Sequence, residues 1–131
     1  MSPNQITAKK PLRILCAEDD AMIGGFLLEY LAAAGHAGEH VTDGFEAWEK
    51  ISEDLGRFDV LITDHQMPGL NGLELVELLR QVNYRGRIVV HSGAVTAEET
   101  ANYRALGVDA IVVKNANATE LLSAVEAFAA A

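Results

Sequence analysis

The sequence predicts an α/β domain built on one parallel sheet of five strands, with helices on both faces. Three observations predict it. Short β-rich runs alternate with helical patterns along the 131 residues. Most of those runs are continuously apolar, as strands covered on both faces of a parallel sheet must be. Four of the five helical patterns open on a polar residue followed three positions later by Glu, the spacing of a capping box. A strand–helix pair repeated five times implies right-handed crossovers and a single domain.

Taken in order, residues 1–10, "MSPNQITAKK", are polar and read as a loose tail; they lack the apolar segment of a signal peptide. The domain is expected to fill residues 11–131. Leu12–Ala17 is the first predicted strand. It carries the single cysteine, Cys16, inside an apolar run, which predicts inert burial. "AMIGGFLLEYLAAAG", residues 21–35, is the first helix, ending on Gly35 as a C′ residue. Gly24 and Gly25 inside it cost about 1 kcal/mol each relative to Ala. Gly38–Thr42 is the second strand. Asp43 and Glu46 then start a helix whose apolar face carries Trp48, expected in the core. Phe58–Thr63 is the third strand, followed by Asn71 and Glu74. Arg87–His91 is the fourth, followed by Thr96 and Glu99. Asp109–Val113 is the fifth, followed by Asn117 and Glu120 and by a helical stripe of Leu121, Leu122, Val125 and Phe128. That stripe is core packing at helical spacing.

The formal net charge of −9 disfavours nucleic acid as a direct partner, because phosphates are bound mainly by Lys and Arg. No apolar run approaches the length of a membrane span. The expectation is a soluble cytoplasmic protein without membrane contact.

The polar residues fall at informative places. Glu18 and Asp19 follow the first strand, Asp64 the third, Ser92 the fourth and Lys114 the fifth. Open α/β sheets bind ligands beyond the carboxyl ends of their strands, where the strand order reverses. In a flavodoxin-like order, 2-1-3-4-5, strands one and three are neighbours there, so Glu18, Asp19 and Asp64 should converge beside Ser92 and Lys114. Two carboxylates about 5 Å apart repel by roughly 3 kcal/mol at an effective dielectric of 20. A hard divalent cation relieves this, and Mg²⁺ suits carboxylates, a backbone carbonyl and waters. Mg²⁺ with few protein ligands usually serves a phosphate, and Lys114 with the Ser92 hydroxyl would cradle phosphoryl oxygens. The remaining nucleophile is Asp64, and a carboxylate attacking phosphorus gives an aspartyl phosphate. His65 and His91 flank this site without paired ligand spacing and are expected to pack behind it. His36 and His40 are expected to be structural and away from it.

With these residues in place, the chain resembles the receiver domain of bacterial two-component response regulators over about residues 11–130. "LCAEDD" resembles the acidic-pair motif, carried by Glu18 and Asp19, with Asp20 capping the first helix. "DHQMPGLNG" resembles the phosphoacceptor motif, "VVHSG" supplies its hydroxyl residue as Ser92, and "IVVK" its lysine as Lys114. "TDGFEAW" is similar to the start of the family's second helix. The resemblance implies phosphorylation of Asp64 by a sensor histidine kinase or phosphotransfer protein, with Mg²⁺ held by Asp19, Asp64 and the Gln66 carbonyl and by Glu18 through water. It implies a switch that assists its own phosphoryl transfer, rather than a turnover enzyme, and that signals to a protein target by contact. Five positions depart from or tune the pattern. Glu18 stands where Asp is commoner. Ile111 occupies the aromatic switch position, so activation is expected to run through Ser92 and backbone shifts. Asn115 replaces a proline, which predicts a trans Lys114–Asn115 peptide, since cis costs about 2.5–4 kcal/mol before a non-proline residue. Gln66 and Ala94 occupy positions that tune dephosphorylation.

Alternatives differ in identifiable residues. A flavin carrier needs a Gly/Ser/Thr-rich phosphate loop after the first strand, where "AEDD" would repel phosphate. A haloacid-dehalogenase-type hydrolase needs Asp-x-Asp there, which "EDDAM" does not supply. A degenerate receiver that only binds proteins is favoured by Asn115 and Ile111 and opposed by the intact acids and Lys114. A receiver excised from a hybrid histidine kinase would share every feature above.

Overall fold

The computed structural model describes residues 10–115 and 118–129. Five parallel strands, β1 (Arg13–Ala17), β2 (Ala37–Val41), β3 (Val60–Thr63), β4 (Arg87–Ser92) and β5 (Ala110–Val113), form one sheet in the order β2-β1-β3-β4-β5. Helices α1 (Ala21–Ala33), α2 (Gly44–Glu53), α3 (Gly72–Gln81), α4 (Ala97–Ala105) and α5 (Thr119–Ala129) alternate with them. Fold class, strand order and element sequence are as the sequence predicts. The strand limits shift by up to two residues; β4 runs on through Ser92, which is therefore its last residue and pairs in register with Val113.

Alternation along each strand splits the interior into two cores. Leu15, Ala17, Leu61 and Val90 face α2, α3 and α4, packing on Ala47, Ile51, Leu75, Leu79 and Tyr103. Ile14, Cys16, Ile62 and Val89 face α1 and α5, packing on Leu27, Leu31, Leu121 and Val125. Burial pushes the Cys16 thiol up to about 12, so it stays a thiol, inert as expected. Trp48 is half-buried against the first core. In the α5 stripe, Leu121 and Val125 are fully buried while Leu122 and Phe128 pack partly buried against them.

The helix starts are made as their spacing predicts. Asp20 accepts from the N–H groups of Met22 and Ile23, Asp43 from Glu46, and full capping boxes form at Asn71–Glu74 and Thr96–Glu99. Gly35 follows the end of α1 at φ +96, the left-handed C′ conformation. The expected cap at Asn117 lies outside the described residues. No helix among the described residues is long and apolar enough to cross a membrane.

At the amino-terminal edge, Asp59 joins β1 to β3. Its carboxylate accepts from the Arg13 backbone N–H at 2.8 Å and from the Arg13 guanidinium at 3.0 and 3.2 Å. The guanidinium hydrogen bond is the largest effect holding the Asp59 pKa below the usual carboxylate value, and the Arg13 N–H adds to it. A depressed folded-state pKa contributes stability above the unfolded value of about 3.9, and that contribution is lost as pH falls through the folded value. Asp59→Asn should therefore lower stability to urea at pH 7, and the gap from wild type should close as pH falls below about 4. A gap of equal size at pH 7 and pH 3 would assign the effect to packing instead.

Candidate functional site

The backbone explains why strand ends deliver acids here. The sheet ladder continues one residue past β1 and β3: Glu18 N–H donates to Val41 O at 3.0 Å, and Asp64 N–H donates to Ala17 O at 2.9 Å. Both carboxylates are thus anchored by paired main chain at the same edge. Glu18 is 3% and Asp64 7% exposed, whereas Asp19 is exposed. One carboxylate oxygen from each of Glu18, Asp19 and Asp64 lies within 4.8 Å of the others.

Lys114 answers this crowding. From the end of β5 its Nζ lies 2.7 Å from Asp64 Oδ2 and 2.7 Å from Glu18 Oε1. The remaining oxygens are also held. Glu18 Oε2 accepts from Asp20 N–H at 3.1 Å, and Asp64 Oδ1 accepts from His65 N–H at 2.7 Å. Burial is the largest influence on Glu18 and raises its pKa, with Lys114 and the Asp20 N–H opposing it. For Lys114 burial alone would lower the pKa, but the hydrogen bonds it donates to Asp64 and Glu18 outweigh it and hold it above the ordinary lysine value. The lysine is therefore an ammonium throughout the physiological range.

The other expected site residues take distinct places. Ser92 is 6% exposed at the end of β4, and its hydroxyl donates to Ala94 O at 3.3 Å. Gln66 is exposed on the loop two residues beyond Asp64. The Lys114–Asn115 peptide is trans. Ile111 is half-buried against the first core. His91 is buried; burial, then the charge of Lys114, lowers its pKa, so it is neutral at pH 7. It lines a cavity of about 280 Å³ with Met22, Ile23, Phe26 and Lys114. His36 is structural, as expected, accepting from Leu12 N–H at 3.1 Å.

His40 corrects an expectation. The sequence places it away from the site, yet its Nε2 donates to the backbone carbonyl of Glu18 at 2.7 Å. A β2 side chain reaches there because β2 is β1's neighbour and α1 leaves a gap at Gly24. A Cβ on Gly24 would stand 2.2 Å from His40 Nε2. The apparent helix defect is the opening through which His40 holds the acidic loop, and an unexplained Gly inside a helical pattern was the available signal.

Gly24→Ala should cost about 1–3 kcal/mol, the range for overpacking a tight site. In a His40→Ala background the same change should cost much less. Urea denaturation of the two single variants and the double variant measures this coupling; additive effects would refute the contact.

Comparison with known proteins gives a consistent set of similarities. The family description "Response regulator receiver domain" matches residues 14–126. The chain is 33% identical over 125 residues to the transcriptional regulatory protein RprY of Bacteroides fragilis, covering 93% of this chain and 51% of that protein. It is 31% identical over 121 residues to a gliding motility regulatory protein of Myxococcus xanthus, covering 91% and 15%. The chain thus spans about half or less of these relatives. Among solved structures, the chemotaxis protein CheY4 of Vibrio cholerae superposes with a TM-score of 0.80 at 28% identity, over 91% of this chain and 99% of that one. A receiver domain from Francisella gives 0.81 at 26% identity, over 89% and 95%.

Proposed function

The chain belongs to the response regulator receiver domain family, and on that premise we propose that it is a phosphorylation switch whose phosphoacceptor is Asp64. The observation that carries this reading is Lys114, whose ammonium sits 2.7 Å from both Asp64 and Glu18 inside a three-carboxylate cluster. A degenerate receiver would have no use for so crowded a set of charges. In the transfer, an Asp64 carboxylate oxygen attacks phosphorus. A P–O bond forms as the donor's P–N bond breaks, and the electron pair leaves on the donor imidazole nitrogen. Lys114 neutralises charge on the phosphoryl oxygens, and Ser92, at the end of β4, supplies a hydroxyl that can turn from Ala94 to them.

The donor set fits Mg²⁺: hard carboxylate oxygens, three negative charges against one ammonium, and one acid open to solvent. Asp19, Asp64 and the Gln66 carbonyl would hold the ion, with Glu18 acting through water. Bound there, the cation supplies charge neutralisation for the incoming phosphoryl group.

The protein partners in this reading are a sensor histidine kinase or phosphotransfer protein upstream and a protein target downstream. Met22 and Phe26, 85% and 50% exposed, form an apolar rim beside Lys114 where a protein donor must approach Asp64. Exposed large apolar side chains grouped at a site's mouth suit such docking. The chain acts as substrate and switch rather than as a turnover enzyme.

Incubation with acetyl phosphate and Mg²⁺ should add one phosphoryl group by intact mass, and Asp64→Asn should abolish the gain. Undiminished labelling of that variant would sink the assignment. Mg²⁺ should also raise the wild-type melting temperature, because a ligand that binds only the folded state stabilises it. In Asp19→Asn the Mg²⁺-dependent rise should vanish, while the metal-free melting temperature stays level or climbs as one crowded charge is removed. A sharp fall in the metal-free variant would contradict the electrostatic picture.

A further inference from the structure

Beside Asp64 lies a hydrogen-bonded group that the proposed transfer does not use. His65 is 5% exposed and presents both ring nitrogens to one helix. Its Nδ1 meets Tyr103 Oη at 2.5 Å, and its Nε2 meets Glu99 Oε2 at 2.8 Å. Glu99 and Tyr103 are four residues apart, so they share a face of α4. One neutral tautomer satisfies all three groups: Nε2–H donates to Glu99, and Nδ1 accepts from the Tyr103 hydroxyl. Glu99 is fixed independently, since its Oε1 accepts from Thr96 N–H at 2.8 Å in the capping box. The ring is thus clamped to a capped helix end.

The main chain of the same residue reaches the reacting carboxylate. His65 N–H donates to Asp64 Oδ1 at 2.7 Å while Lys114 holds Oδ2, so the two contacts together fix the carboxylate's rotation. His65 O accepts from Gly72 N–H at 2.8 Å. A Cβ on Gly72 would stand 2.5 Å from Asp64 O and 2.6 Å from Tyr103 Oη. Loop, α3 and α4 therefore meet at one closely packed point. Tyr103 is also the one buried residue of α4, whereas α3 buries Gly72, Leu75, Val76 and Leu79. What happens at its hydroxyl bears directly on how α4 is seated.

We propose that His65 is a positioning residue for Asp64 and the link by which occupancy of the site is transmitted to α4; this rests on Asp64 being the phosphoacceptor. A phosphoryl group on Asp64 changes what the carboxylate can accept from His65 N–H. Any shift of that N–H moves the imidazole, whose polar partners among the described residues are Tyr103 and Glu99 of α4.

The test pairs two readouts: the initial rate of mass gain with acetyl phosphate and Mg²⁺, and amide exchange across residues 97–105 with and without beryllofluoride and Mg²⁺. In the wild type, beryllofluoride should alter exchange in α4. His65→Ala should still be labelled, at a rate roughly tenfold lower, the equivalent of one lost hydrogen bond to a charged group, and without the α4 response. His65→Gln, whose amide can still donate to Glu99, should recover much of the rate. Tyr103→Phe keeps the buried ring and the cap but removes the hydroxyl, and should lose the α4 response while remaining folded. Labelling of His65→Ala at the wild-type rate, or an intact α4 response in Tyr103→Phe, overturns the proposal while the phosphoacceptor assignment stands. Absence of labelling in the wild type overturns both.

Discussion

Adjacent parallel strands β1 and β3 both end in acids, and their register, Ala17 opposite Thr63, brings those acids to the same level. Each pair of charges at such spacing repels by roughly 3 kcal/mol at an effective dielectric of 20. The protein answers with a cation carried in from β5. Lys114 leaves β5 with its N–H bonded to Ser92 O at 2.9 Å, and its side chain reaches both buried carboxylates. Without it, Glu18 and Asp64 would be buried charges with no counter-ion, a far costlier state than an exposed broken pair. One ammonium against three carboxylates leaves the acids in excess at this edge.

The two cores tolerate this discomfort because they lie elsewhere. The apolar faces of the sheet are closed by α2, α3 and α4 on one side and by α1 and α5 on the other, and the acids sit beyond both layers. The loops at the edge leave the sheet ladder, and their main-chain groups need other partners. A histidine serves each of the two acid-bearing loops. His40 donates to the Glu18 carbonyl, and His65 fastens the Asp64 loop to α4 through its ring. The acids are thus held by main chain that is itself braced from a neighbouring element, which is how a loop site attains the fixed geometry that phosphoryl transfer requires.

What the sequence made legible follows from the range of each signal. The alternation of strands and helices and the caps at Asp43, Asn71 and Thr96 rest on local periodicity and spacing, which one chain displays directly. The convergence of Asp64, the acidic pair and Lys114 was legible because a parallel sheet gathers its strand ends at one edge. The braces were not. His40 meets Glu18 across 22 residues, and His65 meets Glu99 and Tyr103 across 34 and 38. No spacing rule covers such separations. Glu99 was read as a capping residue, and it is one; that its second oxygen serves another element has no local signature. Gly24 alone left a trace, as a helix interior that tolerates a glycine where Ala would propagate better.

Regions open locally in proportion to how little they bury, and α4 buries one side chain, Tyr103. Ile111, opposite Val90 in the sheet, packs in the same core as Tyr103. It is aliphatic, so it can fill space there but cannot exchange a hydrogen bond with the site. The polar route from Asp64 to the first core therefore runs through the imidazole of His65 to the Tyr103 hydroxyl. That route ends on the helix with the weakest apolar anchorage. A small change in hydrogen bonding at the acids therefore acts where least free energy opposes it, which is the condition for a modification of one carboxylate to be felt at a surface that another protein can read.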